Sequence, residues 1–294
     1  MITGILVVDK PQGWTSHDVV AGVRRFAGQR QVGHAGTLDP LATGVLLVAL
    51  GRATKLTSYL MDSTKVYRVE IVLGATTVTD DAEAPMLAYL DPSGVTRPDI
   101  ESRLPAFTGD INQVPPKYSA VRASGKKLYS LARKGIDVEA SPRAVSIREL
   151  TVESWECPRL RLLVRCGPGM YIRSLARDLG AALGVGAYVH ALRRVRSGTF
   201  TEGEARSLDC VSSAAATGPD GLAGLLEPAD RAVLDWPALL LSDADVVRVR
   251  NGRMAPAPGT AAGNVRIYGS AGLIALGKQS GEWVHPFLVM HAAR

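Results

Sequence analysis

The hydrophobic and polar positions change period several times along the chain, and each change marks an element. "GILVVDKP" (residues 4–11) is an unbroken apolar run closed by Lys10-Pro11, which predicts a buried strand stopped by proline. In "TSHDVVAGVRRFAG", Val19, Val23 and Phe26 recur at helical spacing behind Thr15 or Ser16 as N-cap, with Gly28 to end the helix. "QVGHAGTLDPLATGVLLVALG" (31–51) reads as a buried strand entered through a loop that holds His34 and Asp39 among glycines. Residues 64–74, "TKVYRVEIVLG", alternate with period two. Tyr67, Val69, Ile71 and Leu73 therefore share one face, and Val66, Arg68, Glu70 and Val72 the other. In "RLRLLVRCGPGMYIRSLARDLGAALG", Leu160, Leu162, Val164 and Cys166 line one strand face and Gly167-Pro168-Gly169 makes a turn. Ile172, Leu175, Leu179 and Leu183 then form a helix stripe.

Other stretches break these periods. From Ala75 to about Pro105 the chain is rich in Thr, Asp and Pro and predicts an irregular insertion with one short helix. Residues 207–232 shift in composition and read as a connection, so the expected organisation is one domain over 1–228 and a second over 229–294. In the second, "NVRIYGSAGLIALG" predicts a hairpin about Ser270 and Ala271 and "GEWVHPFLVM" a further strand, together a small barrel.

Composition adds little to the fold and more to the partner. The 294 residues are 46% hydrophobic and 21% charged, and no run reaches the roughly 20 apolar residues a membrane helix needs. The start "MITGILVVDK" lacks a basic n-region and a small-residue cleavage site, so the expected location is the cytoplasm. Cys157, Cys166 and Cys210 fit neither a disulfide framework nor a metal pattern and read as reduced core residues. The net charge of +6 is concentrated between Lys117 and Arg177, where thirteen Lys or Arg stand against five Asp or Glu. That excess suits an acidic partner, although a solvated basic face would look the same.

The candidate chemistry begins at Asp39. In "GTLDPLATG", Gly36 and Gly44 permit an unusual backbone path and Pro40 restricts the residue after the aspartate. Asp-Pro alone is an ordinary turn, but a carboxylate beside the buried "VLLVAL" stays charged only if a cation meets it. Arg173 and Arg177 form a repulsive i,i+4 pair, which favours a separate partner for one of them. Tyr67 on its apolar face reads first as a core aromatic. His34 has no second ligand beside it for a metal, and no serine stands in a nucleophile elbow. "GQRQVGHAG" has neither the Walker spacing nor the dinucleotide fingerprint, so no glycine-rich phosphate loop is read there. "VPPKYSAVRASGKKLYSLARKG" interleaves Lys117, Arg122, Lys126, Lys127, Arg133 and Lys134 with Tyr118 and Tyr129, a pattern that suits a nucleic-acid backbone with splayed bases.

Six stretches in order, "GILVVDKPQGWTSHDVV", "GHAGTLDPLATGVLLVALGRATKL", "KVYRVEIVLGATT", "QVPPKYSAVRASGKKLYSLARKG", "CGPGMYIRSLARDLG" and "GAYVHALRRVRSGTF", resemble the TruB-type family of tRNA pseudouridine synthases. The resemblance covers most of residues 1–205. It implies a mixed α/β (α+β) catalytic domain around a curved, mainly antiparallel sheet, with a small C-terminal PUA-like β-barrel. It implies an isomerase that flips uridine 55 out of the tRNA T-loop and converts it to pseudouridine without cofactor or metal. Asp39 would be the catalytic aspartate, Arg173 its cationic partner, and Tyr67 the aromatic that stacks on the base and helps remove the C5 proton. Tyr171 and Leu192 would line the uracil pocket, His34 would be a loop residue supporting the RNA, Lys126 and Lys127 would contact it, and Lys10 and Pro11 would pack beneath the site. The insertion resembles a mobile RNA-binding segment, but "TDDAEAP" departs from the family's acidic stretch ending in glycine. The expected partner is the tRNA T-stem-loop, with no membrane and no obligate protein partner, and the expected state is a monomer.

Two other readings compete. A tRNA-folding chaperone would use the cleft without catalysis, and a glycosidase-like hydrolase would pair Asp39 with a second carboxylate, which the "DPLATG" loop does not supply.

Overall fold

The computed structural model describes residues 2–119, 121–123, 126–132, 136, 140–257, 259 and 262–290. Its main body is a mixed α/β fold around a curved ten-stranded sheet. The run from Gly4 to Lys10 forms β1, and a capping box between Thr15 and Asp18 starts α1 (Ser16–Ala27), which ends on Gly28 at φ 57°. Next come β2 (Val32–Ala35), β3 (Thr43–Leu50) and β4 (Lys65–Leu73). After the insertion the chain continues as β5 (Gly109–Gln113), β6 (Arg143–Glu156), β7 (Arg159–Cys166), α2 (Ile172–Ala182) and β8 (Ala187–Ser197).

The sheet runs Leu226–Glu227, β1, β3, β8, β4, β7, β6, β5, with β2 paired to β3 and Phe200–Thr201 paired to β8. All of these pairings are antiparallel except β3 with β8. β3 is buried along nearly its whole length because strands cover both its edges and side chains cover both its faces, which explains its unbroken apolar run. β4 alternates as its sequence predicts, with Val69, Ile71 and Leu73 in the core that also holds the Leu175 and Leu179 stripe of α2.

The insertion carries more order than its composition suggests. Ala75–Thr77 and Met86–Tyr89 pair as a short ladder, and Arg97–Arg103 is the expected helix, started by a Thr96–Asp99 capping box. Met86–Tyr89 is exposed throughout, so no burial pattern marked it as a strand. Cys166 is buried as expected, whereas Cys157 and Cys210 are free and exposed and contribute nothing to the core.

Beyond residue 234, a curled five-stranded sheet forms from Ala238–Leu240, Ala255–Pro256, Gly263–Gly269, Gly272–Ser280 and Trp283–Val289, with its own apolar cluster. The hairpin turns at Ser270 and Ala271 as its sequence indicates. This sheet rests on the main body through Leu56, Val233, Leu276 and Met290, and Arg52 and Lys55 each donate at 2.7 Å to its last strand and the residue after it.

Candidate active site

Asp39 sits in the loop from β2 to β3, and that loop is pinned from several sides. Gly36 and Gly44 have φ of 93° and 95°, in the region that disfavours side chains. A Cβ on Gly44 would stand 2.3 Å from the Arg194 carbonyl oxygen, so the close contact of β3 with β8 also requires glycine there. At the start of α1, the Ser16 hydroxyl donates to the Leu38 carbonyl at 3.1 Å and accepts the Leu38 N–H at 2.8 Å. Beneath the loop, the buried Lys10 ammonium donates to the carbonyls of Pro11 and Trp14, and to that of Pro40 at 3.2 Å. Burial brings Lys10 down to about 8, against the pull of nearby carboxylates.

The carboxylate itself is left open to a cavity of about 440 Å³. Around it stand Tyr67, Asp81, Glu83, Tyr171, Arg173 and Leu192. Arg173 is 5% exposed, and its Nε lies 2.9 Å from Oδ2 of Asp39, off the N–H direction that a hydrogen bond requires. Its Nη atoms donate to the carbonyls of Thr79 at 3.1 Å and Tyr118 at 3.0 Å, and Nη1 is 3.6 Å from Oδ2 of Asp81. Arg177 pairs with Asp80 at 3.5 Å and with Asp178. Both arginines of the repulsive pair therefore have partners, where sequence spacing asked for one.

Asp81 and Glu83 are the residues that sequence reasoning missed. Asp81 is 2% exposed and accepts the Glu83 N–H at 3.1 Å, and its loop docks on β8 where Val189 donates to the Asp80 carbonyl at 3.0 Å. Asp80 adopts φ 60°, the left-handed turn that brings the neighbouring carboxylate inward. Burial raises the Glu83 carboxyl, and Asp81 and Asp39 raise it further. The signal was present in "TDDAEAP", but nothing local tells an inward acid from a solvated one. A second carboxylate does therefore reach the Asp39 cavity, so its absence from the "DPLATG" loop does not by itself exclude hydrolase chemistry.

The other candidates divide. Tyr67 is half-buried, packed on the core and at the same time a wall of the cavity, and burial raises its phenol. Tyr171 precedes α2 and is locked there by Gln113, whose amide accepts its N–H at 2.9 Å and donates to its carbonyl at 3.1 Å. Leu192 lines the cavity from β8. His34 is not a loop residue: it lies within β2 opposite Val48, where flanking glycines had masked a strand, and it is outside the residues lining the cavity. Its imidazole is pushed down by burial, and Nδ1 has no partner among the described residues. Lys126 and Lys127 form a two-residue strand paired with Arg122–Ala123, and their side chains lie outside the described residues, as do Arg133 and Lys134. No group of three or more His, Cys, Asp or Glu stands as a metal site among the described residues, and no helix there is long and apolar enough to cross a membrane.

Comparison with known proteins narrows the chemistry. Residues 24–172 match the TruB family pseudouridylate synthase N-terminal domain, and residues 173–234 the tRNA pseudouridylate synthase B C-terminal domain. The tRNA pseudouridine synthase B of Pseudomonas aeruginosa (strain UCBPP-PA14) is 45% identical over 258 residues, covering 87% of this chain and 84% of that one. That of Azoarcus sp. (strain BH72) is 40% identical over 283 residues, covering 96% and 93%. The crystal structure of a Cbf5-Nop10-Gar1 complex contains a chain that superposes with a TM-score of 0.75 at 28% identity, covering 98% of this chain and 85% of that one. A sheet of this order with such relatives defines a pseudouridine synthase, an isomerase. More narrowly, with both models matched in sequence order, the chain belongs to the TruB family of pseudouridylate synthases.

Proposed function

We propose that the protein isomerises uridine 55 in the T-loop of tRNA to pseudouridine, with Asp39 as the single catalytic aspartate. The observation that carries this is the Asp39 carboxylate itself, held by a pinned loop, faced by Arg173 at 2.9 Å and open to a cavity large enough for a nucleobase. The relatives named tRNA pseudouridine synthase B supply the substrate class.

The reaction conserves atoms. The N1–C1′ bond breaks, the uracil turns, C5 bonds to C1′, and C5 gives up its proton while N1 gains one. Asp39 can enter by attacking C1′, by adding to the pyrimidine ring or by taking the 2′ proton. Each route uses the carboxylate that Arg173 faces at 2.9 Å. A base inside an RNA stem-loop is out of reach, so it must be flipped into the cavity. Tyr67 then offers a stacking face and a hydroxyl for the C5 proton, with Tyr171 and Leu192 enclosing the ring. His34, Lys126 and Lys127 are assigned to the RNA outside the cavity. Glu83 adds a second acid to the cavity wall beside Asp39, which would disfavour a phosphate there and suit an uncharged base.

We further take the protein to act on tRNA as a cytoplasmic monomer, without an obligate protein partner. The test is to incubate it with an unmodified tRNA transcript and map pseudouridine by carbodiimide treatment and primer extension. A new stop at position 55 supports the reading. Tight tRNA binding with no stop at any uridine would instead establish a folding chaperone.

A further inference from the structure

Arg194 is 1% exposed and lies between the two strands that carry the site. On β8 it is in parallel register with Gly44 of β3 and directly opposite Tyr67 of β4. Residues directly opposite across a ladder have Cβ atoms about 5 Å apart, so this guanidinium and the Tyr67 ring share one face of the sheet. Both also line a second cavity of about 720 Å³, together with Gly36, Thr37 and Lys65.

The guanidinium donates to three backbone carbonyls and also interacts with the Tyr67 hydroxyl. Nε donates to the Val45 carbonyl at 2.7 Å, Nη2 to that of Gly36 at 3.1 Å, and Nη1 to that of Thr37 at 3.5 Å. Among the described residues no carboxylate stands within 4.0 Å of it. A buried cation with no counter-ion is costly, and a methionine would fill the same space without that cost. Its three backbone acceptors are the two carbonyls that lead into the Asp39 turn and one in the strand that leaves it. One planar group therefore ties both ends of the loop and abuts the tyrosine on the neighbouring strand.

We propose that Arg194 is a positioning residue for the isomerisation, fixing the Asp39 loop and the Tyr67 hydroxyl relative to one another. This rests on the reading of Asp39 and Tyr67 given above. The fork of donors matters because a lysine has the charge but cannot reach both loop ends from one fixed plane. The positive charge also opposes the effect of burial on the Tyr67 phenol, which has Cys166 and Asp39 among its other titratable neighbours.

Single-turnover rates and tRNA affinities of Arg194→Lys, Arg194→Gln, Tyr67→Phe and Arg194→Lys/Tyr67→Phe test the assignment. Arg194→Lys should lose at least about 100-fold in single-turnover rate while tRNA affinity stays within about three-fold, a split that a purely structural loss would not give. The double variant should be no slower than its slower parent, because both changes disturb one unit. A wild-type rate in Arg194→Lys, or losses that multiply in the double variant, would overturn the proposal. If the Arg194 variants do not fold, the coupling is read in protein that keeps the arginine. With ¹⁵N-arginine labelling, the Nη signals of Arg194 should move when Tyr67 becomes Phe, and an unchanged spectrum overturns the proposal. Asp39→Asn serves as the control: activity in that variant defeats the reading of Asp39, whereas an inactive Asp39→Asn beside a fully active Arg194→Lys defeats only this inference.

Discussion

The Nε of Arg173 stands 2.9 Å from Oδ2 of Asp39, yet the guanidinium is anchored by the Thr79 and Tyr118 carbonyls and faced by Asp81. The cation is thus held in place by groups other than the carboxylate it serves. Asp39 can change its charge or bonding without setting Arg173 adrift, which is how a preorganised site avoids reorganisation during reaction.

Asp39→Asn keeps the shape of the loop and removes the ionised oxygen. Isomerisation should vanish while tRNA affinity stays within a few-fold, because affinity comes mainly from phosphate contacts. Pseudouridine formed by a clean Asp39→Asn preparation would falsify the assignment.

Arg173→Met leaves Asp81, 2% exposed, without its cation. Breaking one side of a buried pair costs roughly 3–5 kcal/mol. Urea denaturation should show a loss of that order, and Asp81→Leu added to Arg173→Met should recover part of it. A loss below about 1 kcal/mol would mean that Asp81 is satisfied by its loop alone.

Local spacing reveals an element where burial has a period. β1, α1 with its Thr15 and Gly28 caps, and the alternation of β4 each follow from local spacing, because one face of each meets the core. It falls short where contacts are distant. Asp80 and Asp81 find their cations on α2, and their inward turn depends on a left-handed residue that need not be glycine. Arg194 leaves no such mark in "HALRRVRSG", because its charge meets backbone carbonyls and the Tyr67 phenol and no carboxylate whose spacing could point to it. Met86–Tyr89 and His34 were missed as strands because one is wholly exposed and the other is flanked by glycine.

Lys10 should make stability depend on pH in a defined direction. Its folded value of about 8 lies below the ordinary 10.5, so between these two the unfolded chain binds more protons than the folded one. The burial cost is therefore complete below about pH 8 and is relieved as pH rises toward 10.5. Relative to Lys10→Met, the wild-type protein should gain up to about 1.4 kcal/mol per pH unit across that window. Chemical denaturation of both proteins at several pH values checks this, and a constant difference would refute it.

On the proposed function, RNA phosphates would meet exposed basic residues of the segment from Lys117 onward, such as Arg143, Arg148 and Arg165, and not the carboxylate-paired Arg173 and Arg177. Binding should weaken with salt along a log–log line of several units of slope. Reversing Lys126 and Lys127 to glutamate should reduce that slope, whereas salt-independent affinity would point to a small-molecule substrate.

Tyr67 tests the boundary between core and site. It packs against the apolar cluster with its strand neighbours, yet its ring forms a wall of the Asp39 cavity. If the hydroxyl takes part in moving the C5 proton, Tyr67→Phe keeps the stacking surface and the fold while turnover falls by the 10² to 10⁴ typical of general acid–base groups. If the residue only fills space, the change removes one hydroxyl, and activity should follow a stability change of about 1 kcal/mol. Single-turnover rates measured beside thermal melts separate these outcomes. A Phe variant that melts like the wild type but isomerises at least about 100-fold more slowly places the hydroxyl in the reaction, and one with wild-type turnover returns Tyr67 to the core.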